Sequence, residues 1–172
     1  MKPAPLIDRL ERFASVLPPL VQNLSLADAR YKPSTGAWSI LEIVCHLADE
    51  EVEDFRARTR LTLESPESPW PKIDPEAAAR DRKYNDQNPA HALDRFVRER
   101  TASIAWLRSL QHPDWSRAHN HPKVGPVAAG LLLASWAAHD ALHLRQIAKR
   151  FYELAGCDGI PHSIKYAGDW GP

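Results

Sequence analysis

Two histidines, His139 and His143, stand four residues apart in the longest apolar-periodic run of the chain, residues 127–154 (VAAGLLLASWAAHDALHLRQIAKRFYEL). On a helix this spacing stacks two imidazoles on one face about one turn apart, which is the reach one metal ion needs from two ligands. The run should be helical because Leu, Ala, Gln, Lys and Arg dominate it and no proline interrupts it. Gly156 stands where a C-terminal cap would fall, and Gly130 alone counts against the helix. The pair has two readings: metal ligands, or partly buried histidines held by hydrogen bonds. His139 shares its side of the helix with Leu132, Trp136 and Gln146, so the pair borders an interior-facing stripe. His139 is followed by Asp140 and Ala141, which removes the glutamate of an HExxH metalloprotease. A third ligand would have to come from another helix.

One candidate is His46. The stretch from Trp38 opens with a helix-start pattern, in which Ser39 is the N-cap, Glu42 its capping-box partner, and Trp38 and Ile43 the hydrophobic staple. The helix continues to about Leu63 with Ile40, Ile43, Val44, Leu47 and Phe55 as its buried stripe, and with Glu51, Asp54, Arg58 and Arg60 mainly on the wet side. His46 falls one step off the stripe, on the flank carrying Glu42, Glu50 and Glu53. By itself that is the position of a boundary histidine beside solvated acids, or of a flank that looks into a crevice between helices. For general-base or supporting roles the residues to name are Glu50, one turn after His46, then Asp140 and Gln146. The His112, His119 and His121 group lies in an irregular segment with three prolines and reads as exposed. Cys45 points about 100° around the helix from His46 and reads as a packed thiol.

Two further helices complete the set that must position these groups. The first runs from about Leu6 to Leu24, with Pro18 and Pro19 bending or splitting it; the polar loop after it turns the chain at Pro33 and Gly36. The other opens with Asn88 as N-cap and Pro89 as first helical residue and runs to about Leu110. Residues 64–88 lose periodicity, gather four prolines and form a long connection, and residues 157–172 form an irregular tail. Four amphipathic segments, no convincing strands and no internal repeat specify an all-α single domain over residues 1–172, most simply a four-helix bundle.

Composition narrows the function classes. With 22 Lys plus Arg against 22 Asp plus Glu, no global field draws the protein to nucleic acid or an anionic membrane. No apolar run reaches the ~20 residues of a membrane span, and the amino terminus lacks the apolar core of a signal peptide. Cys45 and Cys157 sit in no CxxC pair, which fits reduced thiols in a cytoplasm.

WSILEIVCHLADEE (Trp38 to Glu51), followed much later by HDALHLRQI (His139 to Ile147), resembles the DinB-like superfamily, whose members include YfiT-type proteins, bacillithiol transferases and mycothiol-dependent maleylpyruvate isomerases. The resemblance implies an up-down-down-up four-helix bundle with long connections, often a homodimer, and a divalent metal on three histidines. Carried over by residue, those are His46, His139 and His143. Three imidazoles do not discriminate zinc from nickel, iron or manganese; zinc or nickel is the first expectation, then iron or manganese. The function implied is a cytoplasmic metal-dependent enzyme that hydrolyses a small substrate or transfers a low-molecular-weight thiol. The alternative is a bundle that binds metal, a small ligand or a partner without turnover.

Overall fold

The computed structural model describes residues 1–33 and 37–171; the turn expected at Gly36 lies outside the described residues. Four long helical segments form the bundle: α1 (Pro3–Val21), α3 (Ile40–Asp49) continued through a π-helical turn (Glu50–Phe55) into α4 (Arg56–Glu64), α6 (Pro89–Ser109), and α7 (Ala129–Asp158). Short helices α2 (Leu26–Arg30) and α5 (Pro75–Asp81) lie in the connections.

Side-chain partners give the directions. Phe13 meets Phe96, and Asp8 and Glu11 meet Arg108, so α1 and α6 are antiparallel. Trp38 pairs with Arg150, His46 with His139, and Phe55 with Trp136, so the α3–α4 segment runs against α7. Asp49 pairs with Arg95 and Arg56 with Glu99, so α3–α4 and α6 are parallel. The order is therefore up-down-down-up. Two parallel neighbours must be joined by a segment that travels the length of the bundle, which explains the long connection over residues 64–88.

The start of α3 follows the sequence pattern. Ser39 Oγ accepts from Glu42 N–H at 3.1 Å, and Glu42 Oε2 accepts from Ser39 N–H at 2.8 Å. Ser39 Oγ also donates to Asn85 Oδ1 at 2.6 Å, so the cap ties α3 to the connection. Ser39→Ala should lower unfolding free energy by about 1–2 kcal/mol, read from urea denaturation, with the bundle otherwise intact.

Several boundaries differ from expectation. α1 ends at Val21, with Pro18 and Pro19 accommodated in its last turn, and Ser25 then caps a separate α2. Residues read as irregular before the last helix form an antiparallel hairpin, β1 (Ala118–His121) and β2 (Gly125–Ala128), turned at Gly125 with φ +78°. α7 runs past Gly156 to Asp158 with Gly159 at its end, so the tail's first two residues are helical. Gly156 serves packing: a Cβ there would come within 3.3 Å of Ile164 Cδ1.

The largest correction concerns the α3–α4 segment. Every residue of α3 is buried, and so are Glu50, Glu51, Asp54 and Phe55 in the π-helical turn. Glu51 and Asp54 therefore do not lie on a wet side. A π turn takes one extra residue, which rotates the residues after it about the helix axis, so successive acids face inward on two sides. No described helix is long and apolar enough to cross a membrane.

Candidate metal centre

His46 comes from the middle of the buried α3, and His139 and His143 come from consecutive turns of α7. Because α3 and α7 are antiparallel neighbours, the three rings meet. His46 Nε2 lies 3.3 Å from His139 Nε2, and His143 Nε2 lies 2.9 Å from the same atom. Among the described residues they form the one group of three metal-capable side chains whose donor atoms all lie within 4.8 Å of one another. Metal–nitrogen bonds of about 2.0–2.1 Å at octahedral to tetrahedral angles place ligand nitrogens roughly 2.9–3.3 Å apart, so the two pairs that share His139 have the spacing of ligands to a single ion.

Hydrogen-bond accounting supports the same fit. His143 Nδ1–H donates to Gln146 Oε1 at 2.8 Å, which leaves its Nε2 with a bare lone pair. His139 Nε2 can carry one proton and so can satisfy only one of its two imidazole neighbours. A cation at the common point satisfies all three nitrogens at once. Gln146→Ala should free the His143 ring and weaken metal binding by about 10–100-fold, measured by competition with a chromogenic chelator.

Burial keeps these rings neutral. It pushes His46 down to about 3, helped by the neighbouring His143. It also pushes His139 down to about 3, helped by His143, His46 and Arg100. His143 is lowered by burial, against the opposing hydrogen bond to Gln146. Neutral imidazole is the metal-binding form.

The rings open into a cavity of about 660 Å³ whose walls include Trp38, Phe55, Ile73 and Glu76. Trp38 lies 4.8 Å from the His46 ring, edge on, and stacks nearly parallel to His143. Phe55 meets His139 edge on at 5.1 Å. Ile73 and Glu76 come from the long connection, which thus supplies one wall.

Two carboxyls of the π-helical turn face the same cavity. Glu50 Oε1 lies 3.6 Å from His46 Nδ1, and Asp54 lies 3.0 Å from Arg58 Nη1. Burial, then the charge of Asp54, raises Glu50 to about 8. A nearby cation would pull it back down. Glu42 is taken by the capping box and by Lys32 at 2.8 Å. Asp140 does not support an imidazole: its two carboxylate oxygens each accept from Arg100 at 2.7 Å. His119 and His121 are placed apart from the centre, against Trp70 at 4.5 and 5.7 Å. Cys45 is buried away from the cavity, with burial pushing its thiol up to about 12.

Sequence reasoning passed over Arg100, which is fully buried beside this site. The signal was available, since Phe96, Arg100 and Ile104 recur at four-residue spacing along the apolar stripe of α6.

A helical bundle with three converging imidazoles under a partly apolar cavity is an arrangement from which facing helices can build a metal site. This chain belongs to the DinB superfamily, whose family model matches residues 9–147. It is 25% identical over 151 residues to an Oceanobacillus iheyensis protein named "putative metal-dependent hydrolase", covering 82% of this chain and 81% of that one. Its fold is similar to that of YfiT from Bacillus subtilis, described as "a probable metal-dependent hydrolase with an unusual four-helix bundle topology". That match has a TM-score of 0.79 at 19% identity and covers 89% of this chain and 87% of the other.

Proposed function

We propose that this protein is a metal-dependent hydrolase of a small substrate, with His46, His139 and His143 as the ligands of one divalent ion and Glu50 as general base. The observation that carries the reading is the convergence of three Nε2 atoms at the floor of a cavity that also holds a carboxyl group. Homologues named as metal-dependent hydrolases support it. A bound divalent ion supplies Lewis acidity, lowering the pKa of a coordinated water or thiol and polarising a carbonyl or phosphoryl oxygen.

The chain's own residues do the rest. Gln146 holds the His143 tautomer, and burial keeps all three rings unprotonated. Glu50 accepts the proton of the attacking water and returns it to the leaving group, which balances the hydrolysis. Trp38, Phe55 and Ile73 offer apolar surface to the body of the substrate and displace water from around the reacting group. The cavity is of the size that takes a small molecule.

Zinc and nickel are the first ions to try, followed by iron and manganese. An ion held by His46, His139 and His143 would also activate a low-molecular-weight thiol, so S-transfer to an electrophile is the second reaction to assay. The test is metal analysis of protein purified without chelator, followed by turnover assays on ester, amide and thiol-plus-electrophile panels. One ion per chain with metal-dependent turnover on the hydrolytic panel is expected. Turnover only with thiols would replace hydrolysis by transfer, and binding without turnover would make this a non-catalytic metal bundle. A cytoplasmic homodimer belongs to the same proposal, with the exposed Leu131 and Leu142 of α7 as part of the face to probe by light scattering.

A further inference from the structure

We infer that Arg100, on α6, which contributes none of the three histidines, is the positioning residue that sets the distance between the His46 and His139 halves of the centre. This role rests on the three-histidine reading and falls to a residue that touches no imidazole in the hydrogen-bond network.

Arg100 is 0% exposed and spends its guanidinium on three other segments of the bundle. Nε donates to Glu51 Oε1 at 2.8 Å, and Nη2 lies 2.7 Å from the same oxygen. Nη1 and Nη2 donate to the two oxygens of Asp140, each at 2.7 Å. Nη1 also donates to the Leu10 carbonyl of α1 at 3.1 Å. Trp136 Nε1–H completes the network by donating to Glu51 Oε1 at 2.8 Å. Phe13 and Phe96 lie within 5.5 Å of the guanidinium and keep water away.

The bonded residues are the sequence neighbours of the site. Glu51 adjoins Glu50 in the π-helical turn that continues the His46 helix. Asp140 adjoins His139, and Trp136 sits one turn before it. One planar fork thus grips the segment bearing His46 and Glu50 and the segment bearing His139 and His143. A guanidinium suits this task because its donors are rigidly arranged, whereas an ammonium is a point charge on a flexible stem. Burying three charges is a poor way to gain stability, because well-packed apolar side chains of similar volume do as well or better. Geometry is what the ionic network supplies and an apolar core does not.

The test compares the parent with Arg100→Lys, and with a triple variant, Glu51→Gln/Arg100→Met/Asp140→Leu, which keeps an acceptor for Trp136 and replaces the ionic core by apolar volume. Two readouts are taken on folded protein, with folding verified by circular dichroism. In metal-free protein, nuclear Overhauser contacts between the ring protons of His46 and His139 report their spacing. In Co(II) titrations, the d–d bands report affinity and coordination geometry. The expected result is a strong His46–His139 contact in the parent that is weakened in the variants, with Co(II) affinity down about 10-fold or more and altered d–d bands. If Arg100→Lys does not fold, the triple variant decides. Variants that match the parent in ring contact, affinity and bands would overturn the inference and leave Arg100 a stability element. A parent that shows the ring contact but binds no Co(II) would overturn the metal reading instead, and the ring contacts of the variants would then judge Arg100 alone.

Discussion

His143→Ala is expected to abolish tight metal binding, with affinity falling by well over 100-fold, while the helical content of the bundle stays at the parent level. Outer-shell partners of metal ligands cost about 10–100-fold when removed, so loss of a ligand must exceed that range. His143 is the most telling of the three because its ring is the best oriented, with Nδ1 held by Gln146 and the indole of Trp38 stacked along it. Its removal leaves His46 and His139 with two nitrogens 3.3 Å apart, too few to compete with a chelator at neutral pH. The lost ring opens space onto the cavity, where water can enter, so the stability cost should be smaller than for a sealed core position. Metal-to-protein ratio after gel filtration and thermal unfolding with and without metal separate the two effects. The parent should gain thermal stability with added metal and the variant should not, because a ligand stabilises only the state that binds it. Parent-like stoichiometry in both His143→Ala and His46→Ala would remove the centre.

How far sequence alone could go is set by where the physical information resides. The start of the second bundle helix was readable because its capping box satisfies backbone groups within four consecutive residues. The Asn88–Pro89 start was readable for the same reason, with Asn88 Oδ1 accepting from His91 N–H at 3.1 Å. The His139 and His143 pair was legible from helical spacing, and His46 only through the order of motifs along the chain. The π-helical turn was not legible, because four of the six residues in Glu50–Phe55 are acids and Phe55 alone continues the buried stripe. Glu51 is buried because its partners, Arg100 and Trp136, arrive from other helices, whereas Asp54 is paired within its own segment with Arg58, four residues on. Yet Leu47, Glu51 and Phe55 recur at four-residue spacing, as do Trp136 and Asp140, so each buried charge stands in phase with an apolar stripe. Acids and a base of opposite sign on facing apolar stripes are the pattern that would have announced the network. The hairpin is not legible because its strands are four residues long and one contains Pro126, which leaves hydrophobic alternation nothing to show.

Glu50→Gln should leave metal stoichiometry at the parent value and lower kcat by about 100- to 10,000-fold, the range a positioned general base contributes. The substitution keeps the volume and one hydrogen-bonding oxygen, so the π-helical turn retains its packing between α3 and α4. What it removes is, among the described residues, the one carboxyl that both lines the cavity and lies against a candidate ligand, 3.6 Å from His46 Nδ1. A purely structural acid could occupy the same position, and a split between kinetic constants distinguishes the roles. A base acting in the transition state lowers kcat and kcat/KM together, whereas a residue that only shapes the cavity raises KM with kcat held. Asp54→Asn serves as the comparison, since Asp54 lines the same cavity but is committed to Arg58 at 3.0 Å. Its loss should change kcat far less than the loss of Glu50. Turnover of Glu50→Gln at the parent rate would overturn the general-base role of Glu50.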